Sequence, residues 1–396
     1  MKKFVILFLL VFAFICAGNI FLFGQNKDLL SEANSLYASK NYSEAVDIYK
    51  RLLDNASTPN EKANVKYNLG MAYVQLGKFA EAENEFRSVL SMNVDNRELL
   101  GKDPRFFLNY HYNSQLEIGK MQFEKGDFNP ALESFRNTRT KYPFLSNCGI
   151  CIRDENVKLS IYEAATLEYL NRNKEAFNIY YKIAHPRLIE IYAANGQMEK
   201  LVKLIEKKDE PVIAEWMKKY SYSREKASGF LRSRNYKDFF NAYEQSKTEN
   251  AATLMNDLRE LAKTAQDSYL KDWTARMLAK NPRVAVPLIS NELKNLQTYP
   301  YIFYRTLGFA ATPEAIEILK LRAKNANGWY EAESIAASLM LAGEAGAAAL
   351  LELEEKPLSA NMKLAIQKYK NGELTAKNYL EVKFAPLKKT ELPDEF

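Results

Sequence analysis

The feature that most constrains the fold of this chain is a spacing of glycine, alanine and phenylalanine that occurs twice. The stretches "LGMAYVQLGKFAEAENEFRSVL" at 69–90 and "IGKMQFEKGDFNPALESFRNTRTKYP" at 118–143 carry the same residue types at the same intervals. The matched positions are Gly70, Gly77, Phe79, Ala82 and Phe86 in the first stretch, and Gly119, Gly126, Phe128, Ala131 and Phe135 in the second. Agreement in both position and residue type predicts a repeated structural unit.

Two further stretches follow the same spacing with fewer matches. They are "ANSLYASKNYSEAVDIYKRLL", with Ala33, Tyr42, Ala45 and Tyr49 in register, and "AATLEYLNRNKEAFNIYYKIA", with Ala164, Ala176 and Tyr180 in register. Small residues let two helices approach closely, and aromatic residues fill the space between neighbouring units. Each unit then buries its apolar face only by stacking on the next. The four predicted units cover 26–59, 63–96, 112–145 and 157–190.

This pattern resembles the tetratricopeptide repeat (TPR) family, whose unit of 34 residues is a helix-turn-helix. Pro143 ends the third unit where the family has its proline. The resemblance implies an all-α solenoid with TPR-like repeats over 26–206. Alternating apolar and polar runs bounded by turn residues, which would indicate β-strands, do not occur in the sequence.

The last third of the chain contains a second set of similar stretches. "LGFAATPEAIEIL" at 307–319 aligns with "LMLAGEAGAAALL" at 339–351 and with "LAKNPRVAVPLI" at 278–289. These alanine-rich segments resemble HEAT-like repeats, in which a proline or small residue opens the second helix of each pair; a plain helical domain is the alternative. We therefore predict HEAT-like helical repeats over 276–372, a helical connector or divergent repeats over 207–275, and a frayed, charged tail over 373–396.

The N-terminus has the layout of a secretory signal. Lys2 and Lys3 precede an apolar run at 4–16, which predicts export to the periplasm or the cell envelope. Cleavage after Gly18 or Gly24 would remove a signal peptide, which we place at 1–24. The apolar character continues to Phe23, so retention as a membrane anchor is the alternative. Lipidation of Cys16 is a lesser option, because a bulky isoleucine precedes it.

Residues able to support catalysis are scarce. The chain has two histidines, His111 and His185; we expect both to be structural, with His185 as a charged group at a helix C-terminus. Motifs of serine hydrolases, zinc proteases, phosphate-binding loops, dinucleotide-binding folds and calcium loops are absent from the sequence. The formal net charge of +6 is spread over interspersed charges and does not indicate nucleic-acid binding. We therefore expect a non-enzymatic protein without a cofactor or a metal.

Cys148 and Cys151, in "NCGICIRD", form a CxxC pair. Thioredoxin-type chemistry needs this motif at a strand-to-helix turn, a c-type haem needs histidine where Ile152 stands, and zinc needs two further ligands. In an exported protein we expect a structural disulfide, with an exchangeable redox pair or a metal site as alternatives. The pair falls in an insertion at 146–156, which we predict to be a loop beside the binding face. Another insertion, which comes first in the chain, covers 97–111, so that the insertion at 146–156 is the second.

In TPR proteins the first helix of each unit lines a concave groove that holds a peptide. Aligning the repeats of this chain with that family places aromatic, amide, methionine and lysine side chains in the groove. The predicted groove residues are Asn34, Tyr37, Tyr67, Asn68, Met71, Gln75, Lys120 and Phe123. The subfamily that clamps acidic carboxylates matches at the two asparagines. However, Leu30, Asn113 and Glu117 occupy the places of its basic residues. A carboxylate ligand is therefore not expected.

These observations predict an exported, non-enzymatic scaffold or adaptor that binds a protein or peptide segment in the groove of the first repeat array. A rival is a thiol-disulfide exchange factor that uses Cys148 and Cys151. A third reading is a membrane-tethered structural component of an envelope assembly, held by the N-terminal apolar segment.

Overall fold

A computed structural model of the chain describes residues 28–98, 107–183, 185–224, 226, 268–295, 301–370, 382–387 and 392. Over these ranges the protein is all-α, and neighbouring helices pack as in a helical repeat solenoid, which confirms the predicted fold class. The chain divides into two compact units, Met1–Asn156 (unit 1) and Val157–Phe396 (unit 2). The leader predicted at 1–24 and most of the connector predicted at 207–275 lie outside the described residues.

Unit 1 contains three helix pairs and the start of a seventh helix. Helix α1 covers 28–38, followed by α2 (Tyr42–Asn55), α3 (Pro59–Gln75), α4 (Phe79–Leu90), α5 (Tyr110–Lys125), α6 (Phe128–Thr140) and α7 (Gly149–Tyr169), which continues into unit 2. Helix α3 packs on α2 and α4, and α5 packs on α4 and α6. We call α1, α3, α5 and α7 the leading helices, because each opens a pair.

Close contact between the two helices of a pair depends on the repeated glycines. A β-carbon placed at Gly70 would lie 2.7 Å from Cε1 of Phe86, and one at Gly119 would lie 2.7 Å from Cε1 of Phe135. Both phenylalanines are fully buried. Because any side chain at these glycines would overlap the ring, the helix pairs can pack this tightly only where the leading helix has glycine.

The turn inside each of these pairs also needs glycine. Gly77 and Gly126 adopt φ values of +71° and +86° in the turns that follow α3 and α5. This left-handed conformation is unfavourable for residues with a β-carbon. The start of α3 is stabilised differently, by a capping box in which Thr58 accepts from the backbone of Glu61 and Glu61 accepts from the backbone of Thr58.

The second insertion is shorter than the sequence predicts. We expected a loop over 146–156, but α7 already begins at Gly149. The backbone N–H of Ile152 donates to the carbonyl of Cys148 at 3.1 Å, which closes the first turn of the helix. A disulfide bond joins Cys148 to Cys151 across this same turn. The cross-link joins positions i and i+3, a spacing that fits a helical turn, at the point where the helix begins within the inserted residues.

The first insertion is held against the second by one buried side chain. Asn109, which precedes α5, donates from Nδ2 to the carbonyl of Leu145 at 2.8 Å and accepts from the Leu145 backbone N–H at 2.7 Å. Its φ of 49° is left-handed, a conformation that asparagine tolerates better than most residues. Asn109 therefore ties the segment ahead of α5 to the segment ahead of α7.

Unit 2 contains the remainder of α7 and ten further α-helices among the described residues. They are α8 (Asn173–Lys182), α9 (Arg187–Ala194), α10 (Met198–Tyr220), α11 (Ser268–Ala279), α12 (Pro282–Asn295), α13 (Tyr301–Ala310), α14 (Pro313–Asn325), α15 (Trp329–Leu341), α16 (Gly343–Glu352) and α17 (Ala360–Lys370). Helix α13 packs between α11 and α15, and α15 also contacts α17, so alternate helices stack. Pro282, Pro313 and Gly343 open the second helix of successive pairs, as the sequence predicts.

A buried ion pair joins two of the stacked helices in unit 2. Arg305 on α13 donates from Nε to Asp272 on α11 at 2.8 Å, and its Nη2 contacts the second carboxylate oxygen. The side chains are 3% and 0% exposed. Because neither charge has access to water, each requires the other.

Part of the predicted tail packs on unit 2. The sequence predicts a frayed segment over 373–396, but Val382 is 8% exposed and Leu392 is 5% exposed. The hydroxyl of Tyr169 also donates to the carbonyl of Phe384 at 3.2 Å. Residues 382–387 are therefore attached to α7, which precedes them by more than two hundred positions.

We predict that Gly119→Ala lowers the free energy of unfolding by about 1–3 kcal/mol, because the added methyl group displaces the Phe135 ring. Chemical denaturation of the purified chain measures this difference. Gly149→Ala is the control, because its β-carbon would meet no atom within 4 Å. Adding Phe135→Leu to the Gly119→Ala chain should recover part of the loss. A Gly119→Ala chain as stable as the wild type would contradict the proposed contact.

We predict that Arg305→Ala destabilises unit 2 by about 3–5 kcal/mol, since it leaves the Asp272 carboxylate buried without its counter-ion. Thermal and denaturant unfolding report the change. The comparison variant is Arg172→Ala, which removes an Arg172–Glu175 pair of similar geometry whose side chains are 38% and 49% exposed. We expect a much smaller effect there, because exposed pairs are screened by water. Equal effects of the two substitutions would show that burial of the Arg305 pair is not what matters.

Candidate functional site

The leading helices of unit 1 bring three tyrosines and two glutamates together. Tyr37 lies on α1, Tyr67 on α3, Tyr112 and Glu117 on α5, and Glu155 on the first part of α7. We call these five residues the tyrosine–glutamate cluster. Each of the three tyrosines interacts electrostatically with Glu117, and two of them also interact with Glu155. The cluster therefore spans four successive leading helices, although its members are up to 118 positions apart in sequence.

Tyr37 is half-buried at the α1 end of the cluster. Its ring makes an edge-to-face contact with Tyr42, with ring centres 5.2 Å apart, and its hydroxyl is hydrogen-bonded to the exposed side chain of Gln75. Burial raises the pKa of Tyr37 to about 12, with smaller contributions from Tyr42 and Glu117. The charge of Lys120 acts in the opposite direction. The hydroxyl is therefore a neutral donor and acceptor at physiological pH.

Tyr67 lies at the middle of the cluster. Its ring centre is 5.8 Å from that of the buried Phe86, so the ring is fixed by the core of its own repeat. Burial raises the pKa of Tyr67 well above its usual range, and the carboxylates of Glu117 and Glu155 raise it further. The negative charges of Glu117 and Glu155 favour a cation near this hydroxyl.

Tyr112 connects α5 to the start of α7. Its hydroxyl donates to Oε2 of Glu155 at 3.0 Å, and its ring packs edge-to-face on Phe144 at 5.2 Å. Burial raises the pKa of Tyr112, Glu155 adds to the increase, and Arg139 opposes it. This hydrogen bond helps to orient the Glu155 carboxylate.

A salt bridge sets the charge at the α5 end. Lys120 donates from Nζ to Oε1 of Glu117 at 2.8 Å, and the two side chains are 30% and 12% exposed. Lys120 therefore neutralises part of the Glu117 charge. The cluster as a whole combines apolar ring faces, neutral hydroxyls and carboxylates, a set of groups suited to binding a segment that carries a basic side chain.

The other predicted groove residues differ in how far their side chains are buried. The exposed Asn34 accepts from the hydroxyl of the buried Tyr49 at 2.8 Å, and Asn68 donates to Asn64 at 2.9 Å. Met71 is partly buried against the hydrophobic core of unit 1. Phe123 is only 4% exposed and packs edge-to-face on Phe128, which places it inside the third helix pair.

Sequence reasoning did not select three members of the cluster as groove residues. Glu117 lies two residues before Gly119 in the third repeat, and Asn68 lies two residues before Gly70 in the second. Because Asn68 was predicted to line the groove, the repeat alignment could have identified Glu117 as well. Tyr112 lies at the first turn of its leading helix, where the second repeat has the small residue Ala63. Glu155 lies in the insertion at 146–156. The repeat pattern predicts no helix there, so it gives no information on which way the Glu155 side chain faces.

The disulfide lies beside this cluster rather than within it. The backbone N–H of Cys148 donates to Ser146 Oγ at 3.0 Å, and the N–H of Cys151 is directed at Cys148 Sγ at 3.2 Å. Cys151 is one helical turn before Glu155, so the cross-link stabilises the turn that carries the carboxylate. Both cysteines are partly exposed.

The two histidines have structural contacts, but one prediction about them is wrong. His111 joins Asn96, through Nδ1 at 3.0 Å, to the carbonyl of Met92, through Nε2 at 3.1 Å, and so fixes the first insertion. His185 was expected to be positively charged. Burial and the nearby Arg187 instead lower its pKa to about 3, so the imidazole is neutral. Its Nδ1 accepts from the Arg187 backbone N–H at 3.1 Å.

We predict that removing the disulfide with Cys148→Ser and Cys151→Ser together lowers stability by at most about 2 kcal/mol, because a loop this short restricts the unfolded chain little. Amide hydrogen exchange should become faster at 152–155, the turn that carries Glu155. The amides of α6 provide the internal reference and should not change. Unchanged protection at 152–155 would show that the cross-link does not hold the start of α7.

No protein-family model, curated protein or solved structure matches this chain. Across the described ranges, no three side chains of His, Cys, Asp or Glu lie together as metal ligands. None of the helices in the described part of the chain is both long enough and apolar enough to cross a membrane. The chemistry of the tyrosine–glutamate cluster is therefore the main guide to function.

Proposed function

We propose that this chain is an exported, non-enzymatic scaffold of the TPR type, which binds a protein or peptide segment along the leading helices of unit 1. The observation that carries the proposal is the convergence of Tyr37, Tyr67, Tyr112, Glu117 and Glu155 from four successive helices. The basic N-terminus with its apolar run is the basis for export to the periplasm or envelope. The alanine-rich helices at 276–372 form a second, HEAT-like array in this proposal.

The chemistry of the cluster suggests which segment binds. The partly buried rings of Tyr37 and Tyr67 supply apolar contact area at a small cost in side-chain entropy, and the Tyr37 hydroxyl can satisfy a polar group of a peptide backbone. Tyr112, which is only 3% exposed, contributes by holding the Glu155 carboxylate.

Glu117 and Glu155, which both act on the Tyr67 hydroxyl, favour a lysine or arginine side chain near it. Lys120 and Arg139, at the edges of the cluster, limit how many basic residues the segment can carry. The proposed ligand is thus an extended or helical segment with one basic anchor and apolar neighbours.

We predict that a random peptide library selected on the full chain enriches sequences with a single lysine or arginine among apolar residues. Isothermal titration with an enriched peptide, about twelve residues long, should give an affinity at least about tenfold weaker for the Glu117→Gln, Glu155→Gln double variant, because each substitution removes one charge-assisted hydrogen bond. Both substitutions keep the size of the side chain, so the fold is expected to persist.

The matched control is Glu83→Gln, which removes a carboxylate from α4 that pairs with Arg87 outside the cluster. Peptide affinity should be unchanged in this variant. Peptides that bind the double variant as tightly as the wild-type chain would contradict the proposed site. Failure to enrich any basic peptide would contradict the proposed ligand class.

A second candidate function is thiol-disulfide exchange, favoured by the position of the CxxC pair at the start of α7. A helix N-terminus stabilises a thiolate, and both cysteines are partly exposed. Equilibration of the chain with glutathione buffers distinguishes the two proposals. A reduction potential below about −300 mV identifies a structural disulfide, and a higher value supports exchange.

A further inference from the structure

The docked residues 382–387, which we call the C-terminal segment, form an anchored contact with unit 2 through one aromatic side chain. The ring centre of Phe384 lies 6.2 Å from that of Tyr180, in an edge-to-face arrangement, and 5.5 Å from that of His185. The guanidinium carbon of Arg187 lies 4.9 Å from the Phe384 ring centre. An aromatic ring is therefore held between two ring systems and a cation.

Two polar contacts of this segment are made by its backbone. The hydroxyl of Tyr169 donates to the carbonyl of Phe384 at 3.2 Å, and Arg187 donates from Nη2 to the carbonyl of Ala385. Pro386 follows, and it has no N–H that would need a partner. Hydrogen bonds to carbonyl groups do not depend on the side chains of the bound segment. Another extended segment with an aromatic residue at the place of Phe384 could make these two backbone contacts.

The receptor side is fixed by its own contacts. Arg187 donates from Nη2 to Glu168 at 2.8 Å and from Nη1 to Glu190 at 3.0 Å, and Tyr180 donates to Glu168 at 2.5 Å. Tyr180 is fully buried, and Arg187 and Glu168 are 5% and 8% exposed. Because these bonds join α7, α8 and α9, the binding surface has contacts of its own besides those it makes to the C-terminal segment.

The C-terminal segment leaves space beside it. A cavity of about 360 Å³ lies between Phe177, Ile191 and Leu387, and a second of about 430 Å³ lies between Trp273, Met277 and Phe384. Leu387 remains 48% exposed. A ligand with larger side chains next to the aromatic residue would bury surface that this segment leaves open.

From this geometry we infer that α7, α8 and α9 of unit 2 form a second peptide-binding site, occupied in cis by the C-terminal segment and open by exchange to a partner protein. The ligand class is an extended segment with an aromatic residue, a small residue and a proline in succession. The basis for exchange is that the contacts of the Phe384 ring and of the two carbonyl groups can be made equally by a partner that supplies the same groups. The inference uses contacts of unit 2 and is independent of the function proposed for the tyrosine–glutamate cluster.

The test measures binding of a fluorescent peptide with the sequence of residues 380–390 to the full chain. We expect the chain carrying Phe384→Ala to bind this peptide at least about tenfold more tightly than the wild-type chain, because the tethered segment competes at a millimolar effective concentration. A peptide with alanine in place of Phe384 should not bind either chain. Circular dichroism confirms that the Phe384→Ala chain is folded.

A second substitution tests the assigned contact. In the Phe384→Ala chain, Tyr169→Phe should weaken peptide binding by about three- to tenfold, since it removes one hydrogen bond to the peptide backbone. Tyr181→Phe is the matched control, because the Tyr181 hydroxyl donates to Asp209 at 3.2 Å and is not among the groups that hold the segment. It should leave the affinity unchanged.

Several results would overturn the inference. A folded Phe384→Ala chain that does not bind the peptide, or that binds it no better than the wild type, shows that the segment is a permanent part of unit 2. Unfolding of the Phe384→Ala chain leads to the same conclusion. A wild-type chain that forms dimers dissociated by the peptide assigns the site to a second copy of this chain and contradicts the partner assignment.

Discussion

The contact between a glycine of the leading helix and a phenylalanine of the following helix is the constraint on which the structure of unit 1 depends. Gly70 and Gly119 leave no room for a β-carbon beside Phe86 and Phe135. This contact sets the separation of the two helices in a pair, and the separation sets how neighbouring pairs stack. Because the pairs stack in order, their leading helices follow one another, and residues far apart in sequence come together along them.

The binding chemistry of unit 1 depends on this order and on the two insertions. Stacking alone places Tyr37, Tyr67 and Glu117 on successive helices. The last member, Glu155, is added because α7 starts early at the disulfide and because Tyr112 holds the carboxylate. Asn109 joins the segments ahead of α5 and α7, so the insertions act as supports for the cluster. A loop at 146–156 would have left the carboxylate without a fixed position.

The repeat spacing was sufficient to predict the helices of unit 1. Each repeated glycine allows two helices to approach closely, and each repeated phenylalanine packs against that glycine, so both residues are needed within a single helix pair. The same pattern was less informative about individual side chains. Phe123 was expected in the groove, but the structure buries it against Phe128. His185 was expected to be charged, but burial next to Arg187 makes it neutral. Both differences arise from neighbours on other helices, which periodicity along one helix does not reveal.

The sequence by itself determined the all-α class, the pairing of helices, and the proline or glycine that opens each second helix of the C-terminal array. These features follow from steric and backbone preferences acting over a few residues. The tertiary structure decided which side chains form the tyrosine–glutamate cluster and where the C-terminal segment binds. Tyr169 and Phe384 are 215 positions apart. Contacts at such separations depend on the packing of every helix between them, and so no local pattern encodes them.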